Sequence, residues 1–138
     1  MATATVKWIG GKQFVGIDST CHSVVLSTAD EGVGVKPSEL LLIAAASCSA
    51  VDVVDILGKK KLHLTHFEIS ATGEQDKDPP WTYRKIRIHY RLAGPDLTEK
   101  AVAQAIELSH TKYCSVTTTL RGTAEISTDF EIVEELAV

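Results

Sequence analysis

Two cysteines stand where thiol chemistry could be done. Cys48 lies in the middle of the most apolar stretch of the chain, running from Pro37 to about Leu57. A cysteine in such a place is commonly an inert small core residue. Its company is polar, however: Ser47 and Ser49 flank it and Asp52 follows one helical turn on, which implies a solvent-reachable pocket. Cys114 stands just before a short helical turn, where free N–H groups and the positive end of the dipole favour a thiolate and lower the thiol pKa. Position alone makes it an exchange partner.

The other reactive types are less organised. Cys21 sits beside His22 in a strand connection and reads as incidental, since a Cys-His pair there lacks further ligands. Three cysteines, unevenly placed and with no CxxC pair, form no secreted disulfide framework and no zinc or thioredoxin motif. His63, His66, His89 and His110 are scattered, and the spacing of the first two is wrong for one strand face. No metal site and no bound cofactor are expected. Asp52 and Asp55 form either a carboxylate pair or the polar stripe of a helix. Glu39, third in that helix, answers its N-terminal dipole.

The elements that position these groups follow from periodicity. A chain of 138 residues with 44% apolar content makes one domain, residues 1 to 138, of the α+β class. Three short β-type runs, Thr5 to Ile9, Gln13 to Asp18 and Ser23 to Ser27, predict an antiparallel meander. Pro37 suits the first turn of a helix, which runs to about Leu57 and closes with Gly58 and three lysines. Leu40 to Ala46 covers every side of that helix, so it should be buried all round. A domain this small can hardly bury it alone, which predicts that a second copy covers part of it in an obligate homodimer. Two alternating strands follow, Leu62 to Thr72 and Trp81 to Leu92, with Gly73 to Pro80 as their loop. Asp96 should cap a second helix, with Glu99 three positions on, ending near His110. Ala124, Ile126, Phe130 and Ile132 alternate as a last strand.

A net charge of -4 gives no basic footprint for nucleic acid, and Lys59 to Lys61 more simply close the helix. The N-terminal residues show no basic segment leading into an apolar one, so a cytoplasmic location is expected. Leu40 to Ala46 is far short of the roughly 20 residues of a membrane span. No membrane partner is expected.

Lys36-Pro37-Ser38-Glu39-Leu40-Leu41-Leu42-Ile43-Ala44-Ala45-Ala46-Ser47-Cys48-Ser49-Ala50-Val51-Asp52-Val53-Val54 closely resembles the central helix motif of the OsmC/Ohr family. Lys112-Tyr113-Cys114-Ser115-Val116 and Thr119-Leu120-Arg121-Gly122 resemble its second motif, and the order of elements is similar over nearly the whole chain. The resemblance implies an OsmC-like intertwined homodimer. It also implies a thiol-dependent peroxidase acting on organic hydroperoxides in oxidative stress defence. Cys48 would form a sulfenic acid, Cys114 would resolve it as an intramolecular disulfide, and an external thiol or dithiol would reduce that disulfide. Such a pair must approach to roughly 6 Å between Cα atoms.

Proteins of this family also use an N-terminal arginine and a glutamate near the start of the central helix to activate the cysteine. This chain has no arginine before Arg84, and Lys7, Lys12 or Lys36 lack arginine's planar fork. Ser38 stands at the glutamate's place and Glu39 one position later, which matches the OsmC-like subgroup. Nine residues at about 100° each put Glu39 on the far side of the helix from Cys48, about 13 Å along it. A catalytic Glu39 would therefore need an inter-subunit site. The departures favour, as an alternative, a dithiol ligand-binding or redox-sensing protein without efficient turnover. A third reading leaves both cysteines as packing residues of an interaction module.

Overall fold

A computed structural model describes residues 1–134, and the last four residues of the expected domain lie outside it. The chain divides into two compact units, Met1–Leu41 and Leu42–Val138, with the division falling inside a single helix.

The first unit is the expected meander. Strands β1 (Thr5–Gly10), β2 (Gln13–Ile17) and β3 (Ser23–Ser27) pair antiparallel in the order β1-β2-β3. Gly10 and Gly11 turn β1 into β2 at φ 113° and 53°, conformations that a side chain resists. The next turn is built by Asp18, whose carboxylate accepts the N–H groups of Thr20 and His22, each at 3.0 Å. After β3 the chain doubles back, Val35 N–H donating to Val25 O at 3.0 Å, and reaches the helix at Pro37.

That helix, α1 (Pro37–Lys59), begins where the proline requires. Its end lies further on than Gly58. Lys61 takes the left-handed conformation at φ 59°, Lys61 N–H bonds Gly58 O at 2.9 Å and Leu62 N–H bonds Leu57 O at 3.0 Å. This is a Schellman closure with Leu62 and Leu57 as its apolar pair. It corrects the expectation of a strand from Leu62, because Leu62 is still part of the helix cap. Strand β4 starts at His66 and runs to Gln75.

The second unit has its sheet in the order β4-β5-β6, with β5 at Tyr83–Ala93 and β6 at Glu125–Ile132. The β4–β5 loop is accordingly shifted from the expected Gly73 to Pro80. In register, Phe67, Ile69 and Ala71 of β4 stand opposite Leu92, Tyr90 and Ile88 of β5, while Ile126, Phe130 and Ile132 of β6 stand opposite Ile86, Tyr90 and Leu92. One face is therefore an apolar ladder. The β5–β6 pair is parallel. The intervening chain forms α2 (Glu99–Leu108), a π-helical turn (Ser109–Tyr113) and α3 (Ser115–Leu120), a crossover long enough to return β6 in the same direction. Thr98, not Asp96, caps α2: its extended backbone lets Oγ1 accept Ala101 N–H at 3.2 Å.

Within this unit α1 is buried on a stripe, not all round. Ala45, Ser49, Val53 and Leu57, each four residues apart, face inward, and the three apolar ones join the core with Ile86, Ile88 and Leu92. Ile43, Val51 and Val54 are exposed, Val51 at 69%. A sheet with one covered face offers the helix only one contact surface, so an apolar composition all round cannot be satisfied by it. By length and composition alone α1 could cross a membrane, since its apolar character continues past Ala46. Its inward stripe has the packing of a core helix.

The opposite face of β5 and β6 carries charge. Arg87 pairs with Asp129, His89 Nδ1 meets Asp129 Oδ1 at 2.8 Å and Nε2 meets Glu131 Oε1 at 3.3 Å, and Arg91 Nε meets Glu131 Oε1 at 2.7 Å. Hydrogen bonds to Asp129 and Glu131 raise the His89 pKa above its ordinary 6.5, while Arg87 and His89 lower that of Asp129. A raised histidine pKa stabilises fully below 6.5 and loses that contribution as pH rises through the folded value. The urea midpoint difference between the wild type and His89→Gln is therefore expected to shrink from pH 6 to pH 8. A difference that grows with pH would contradict the pairing.

Candidate functional site

The stripe that packs α1 on the sheet also fixes Cys48. Ser49 is on the inward line, so Cys48, one residue earlier, lies at the border of the buried face and is partly exposed. Cys114 arrives from the other side. Its N–H donates to Ser109 O at 2.8 Å, closing the π-helical turn, and it is the cap residue of α3, with 1% of its surface exposed. The two thiols, 66 positions apart in sequence, are close enough for Cys48 to act on the Cys114 pKa, and both are free.

The expected acidity of Cys114 is reversed. Burial pushes its pKa above the ordinary 9.0, hydrogen bonding to Thr117 lowers it in part, and the neighbouring Cys48 raises it again. Thr117 N–H does reach Cys114 Sγ at 3.5 Å, as the cap position predicted. One long contact to sulfur from a helix of six residues is outweighed by the loss of water around a thiolate. Only a thiolate attacks, so Cys114 is the poorer first nucleophile and Cys48 is the accessible thiol.

Beside the cysteines runs a polar chain. Tyr90 Oη lies 2.6 Å from Ser49 Oγ, Ser49 Oγ lies 2.9 Å from Ser109 Oγ, and Ser109 Oγ lies 2.8 Å from Asp52 Oδ2. Tyr90, Ser49 and Ser109 are almost fully buried. Burial raises the Tyr90 pKa, the bond to Ser49 lowers it, and the charges of Cys114 and Asp52 raise it further. At its outer end the chain meets a cleft that Asp52 lines together with Asp55, Ile56, Lys59, Leu108 and Tyr113. Of the polar company of Cys48 only Asp52 lines this cleft, and Cys48, Ser47 and Ser49 do not, so the cleft is not the pocket expected at the thiol. Tyr90 and Ser109 were not singled out by sequence reasoning. The available signal was a tyrosine on a fully apolar strand face, because a buried phenol requires a partner.

The remaining candidates lie elsewhere. Glu39 is exposed in the first turn of α1 and pairs with Lys36 at 3.3 Å. Asp55 pairs with Lys59 at 3.1 Å on the surface, apart from the bond that occupies Asp52. Cys21 is exposed in its turn at φ 67°. Among the described residues no group of three or more His, Cys, Asp or Glu is arranged to hold a metal ion.

Residues 29–129 match the family described as OsmC-like protein. Protein YhfA of Escherichia coli strain K12 is 35% identical over 130 residues, 94% of this chain and 97% of its own length. A hypothetical protein from Aquifex aeolicus VF5 has a solved structure similar to this one at TM-score 0.87 and 29% identity, covering 99% of this chain and 98% of that one. An organic hydroperoxide resistance protein OsmC from Legionella pneumophila matches at TM-score 0.69 and 14% identity, over 95% and 96% of the two chains, a likeness of fold alone.

Proposed function

Because the chain belongs to the OsmC-like family, we propose that it is a thiol-dependent peroxidase that reduces organic hydroperoxides in defence against oxidative stress. The observation that carries this reading is the pair of free thiols, Cys48 accessible and Cys114 buried beside it. The Cys48 thiolate attacks one peroxide oxygen, the O–O bond breaks, and the other oxygen leaves as the alcohol after taking a proton. The resulting sulfenic acid is attacked by Cys114, forming the S–S bond and releasing water before further oxidation can trap Cys48. Two electrons from an external thiol or dithiol restore both thiols. The experiment that tests this is consumption of an organic hydroperoxide by the Cys48→Ser variant, and undiminished consumption overturns it.

A second reading rests on what surrounds Cys48. No arginine precedes Arg84, and Glu39 is engaged with Lys36. Both facts support a dithiol sensor or ligand-binding protein, oxidised once and reduced slowly. Multiple turnovers with a dithiol reductant in the same assay would exclude it.

The apolar residues left exposed on α1, Ile43, Val51 and Val54, support a homodimer in which a second copy covers them. Light scattering at micromolar concentration is expected to return about twice 14.9 kDa, and a monomeric mass would refute the dimer.

A further inference from the structure

We propose that the chain Tyr90–Ser49–Ser109–Asp52 is a positioning clamp that holds the Cys114 turn against α1 and thereby sets how readily Cys48 and Cys114 close into a disulfide. The inference rests on the dithiol reading above and adds residues to it.

The clamp joins the two cysteine-bearing segments at their nearest neighbours. Ser49 follows Cys48 on α1, and Ser109 is the residue whose carbonyl oxygen receives the Cys114 N–H. The Ser49–Ser109 contact at 2.9 Å is thus a direct tie between the backbone that carries one thiol and the turn that carries the other. The π-helical turn explains how Ser109 gets there: widening the last turn of α2 points Ser109 inward at 0% exposure while delivering Cys114 five residues later.

Ser109 is the centre of the chain: its Oγ is the donor toward both Ser49 Oγ and Asp52 Oδ2, so one hydroxyl proton serves two acceptors, one on each side of the turn. In the contact between Ser49 and Tyr90 either hydroxyl can donate. The chain is anchored at both ends, by the Tyr90 ring stacked on Phe67 and by the Asp52 carboxylate at the cleft. A chain of this kind in a water-poor interior is rigid, because breaking one link leaves a buried polar group unpaired.

Rigidity matters because closure is an intramolecular reaction. The effective concentration of Cys114 at Cys48 depends on how little freedom the reduced site must lose to form the bond. Loosening the turn raises that loss without touching either sulfur.

The test uses oxidised and reduced glutathione in place of peroxide, so that clamp and peroxidase activity are read apart. In the reaction measured, the dithiol and one oxidised glutathione give the Cys48–Cys114 disulfide and two reduced glutathione molecules. The oxidised fraction is read by mass spectrometry after acid quenching. Ser109→Ala is expected to lower the effective concentration about tenfold, the penalty for leaving buried partners unpaired. Tyr90→Phe, which keeps the ring and removes only the hydroxyl that Ser49 bonds, is expected to lower it in the same direction and serves if Ser109→Ala does not fold. Ser47→Ala is the control, since among the described residues Ser47 bonds Ile43 O and Ala44 O of its own helix and no member of the clamp. Wild-type values for both Ser109→Ala and Tyr90→Phe overturn the clamp while leaving the dithiol reading intact. A wild-type protein that forms no disulfide at any ratio overturns that reading and the clamp with it.

Discussion

Cys48→Ser is expected to consume organic hydroperoxide roughly 10³-fold more slowly than the wild type, or at no measurable rate, because a serine hydroxyl at neutral pH offers neither the anion nor the polarisable atom that attacks an O–O bond. Cys114→Ser is expected to behave differently. Its first turnover should run normally, because Cys48 is intact and accessible, and should then stop at a sulfenic acid that reacts with an added dimedone-type nucleophile. The mass after one equivalent of hydroperoxide separates the cases: the wild type loses two hydrogen atoms, Cys114→Ser gains one oxygen, and Cys48→Ser is unchanged. The asymmetry comes from burial. Cys114 at 1% exposure carries a raised pKa, so it cannot replace Cys48 as the attacking group. Equal rate losses in the two single variants during the first turnover would contradict that division of roles.

Periodicity located the elements that pack and was weaker where the chain turns. Pro37 opens α1 where expected, because a proline's missing N–H is spared only in the first turn. Leu62 and Leu64 look like strand residues by composition, yet Lys61 adopts the left-handed cap and binds Leu62 into the helix end. A lysine at that position carries no glycine-like signature, so the cap is written only in the tertiary structure. The parallel direction of β6 was equally invisible, since alternation in Ala124 to Ile132 reports a half-buried strand and says nothing about its orientation.

The site divides in the same way. Cys48 and its polar company were legible because serine and aspartate inside an apolar helix violate the pattern around them. The acidity expected of Cys114 failed because the cap position is local and burial is not: the sequence shows which N–H groups precede α3, but not that the core closes over the sulfur. Ser109 had no local mark at all. It reads as the last inward position of α2, and only the π-helical turn makes it a link between the two cysteines.

Ile88→Ala is expected to destabilise the protein by about 3 kcal/mol, lowering the thermal midpoint by roughly 10 °C for a chain of this size. Ile88 is fully buried at the centre of β5, and its neighbours across the strands, Ala71 and Thr128, are too small to fill the space it would leave. A truncation there removes the transfer energy of the lost carbons and adds an unfilled cavity, since the flanking Ile86 and Tyr90 are held by pairing on both sides. Tyr90 is the next inward residue, so the variant also asks whether the clamp depends on general core stability or on its own hydrogen bonds. At 15 °C, well below the lowered midpoint, the folded Ile88→Ala protein is expected to keep the glutathione equilibrium of the wild type within about twofold, in contrast to Ser109→Ala. A large shift in that equilibrium for Ile88→Ala would mean that the thiols are held by the packing of the whole sheet, and that the polar chain only accompanies it.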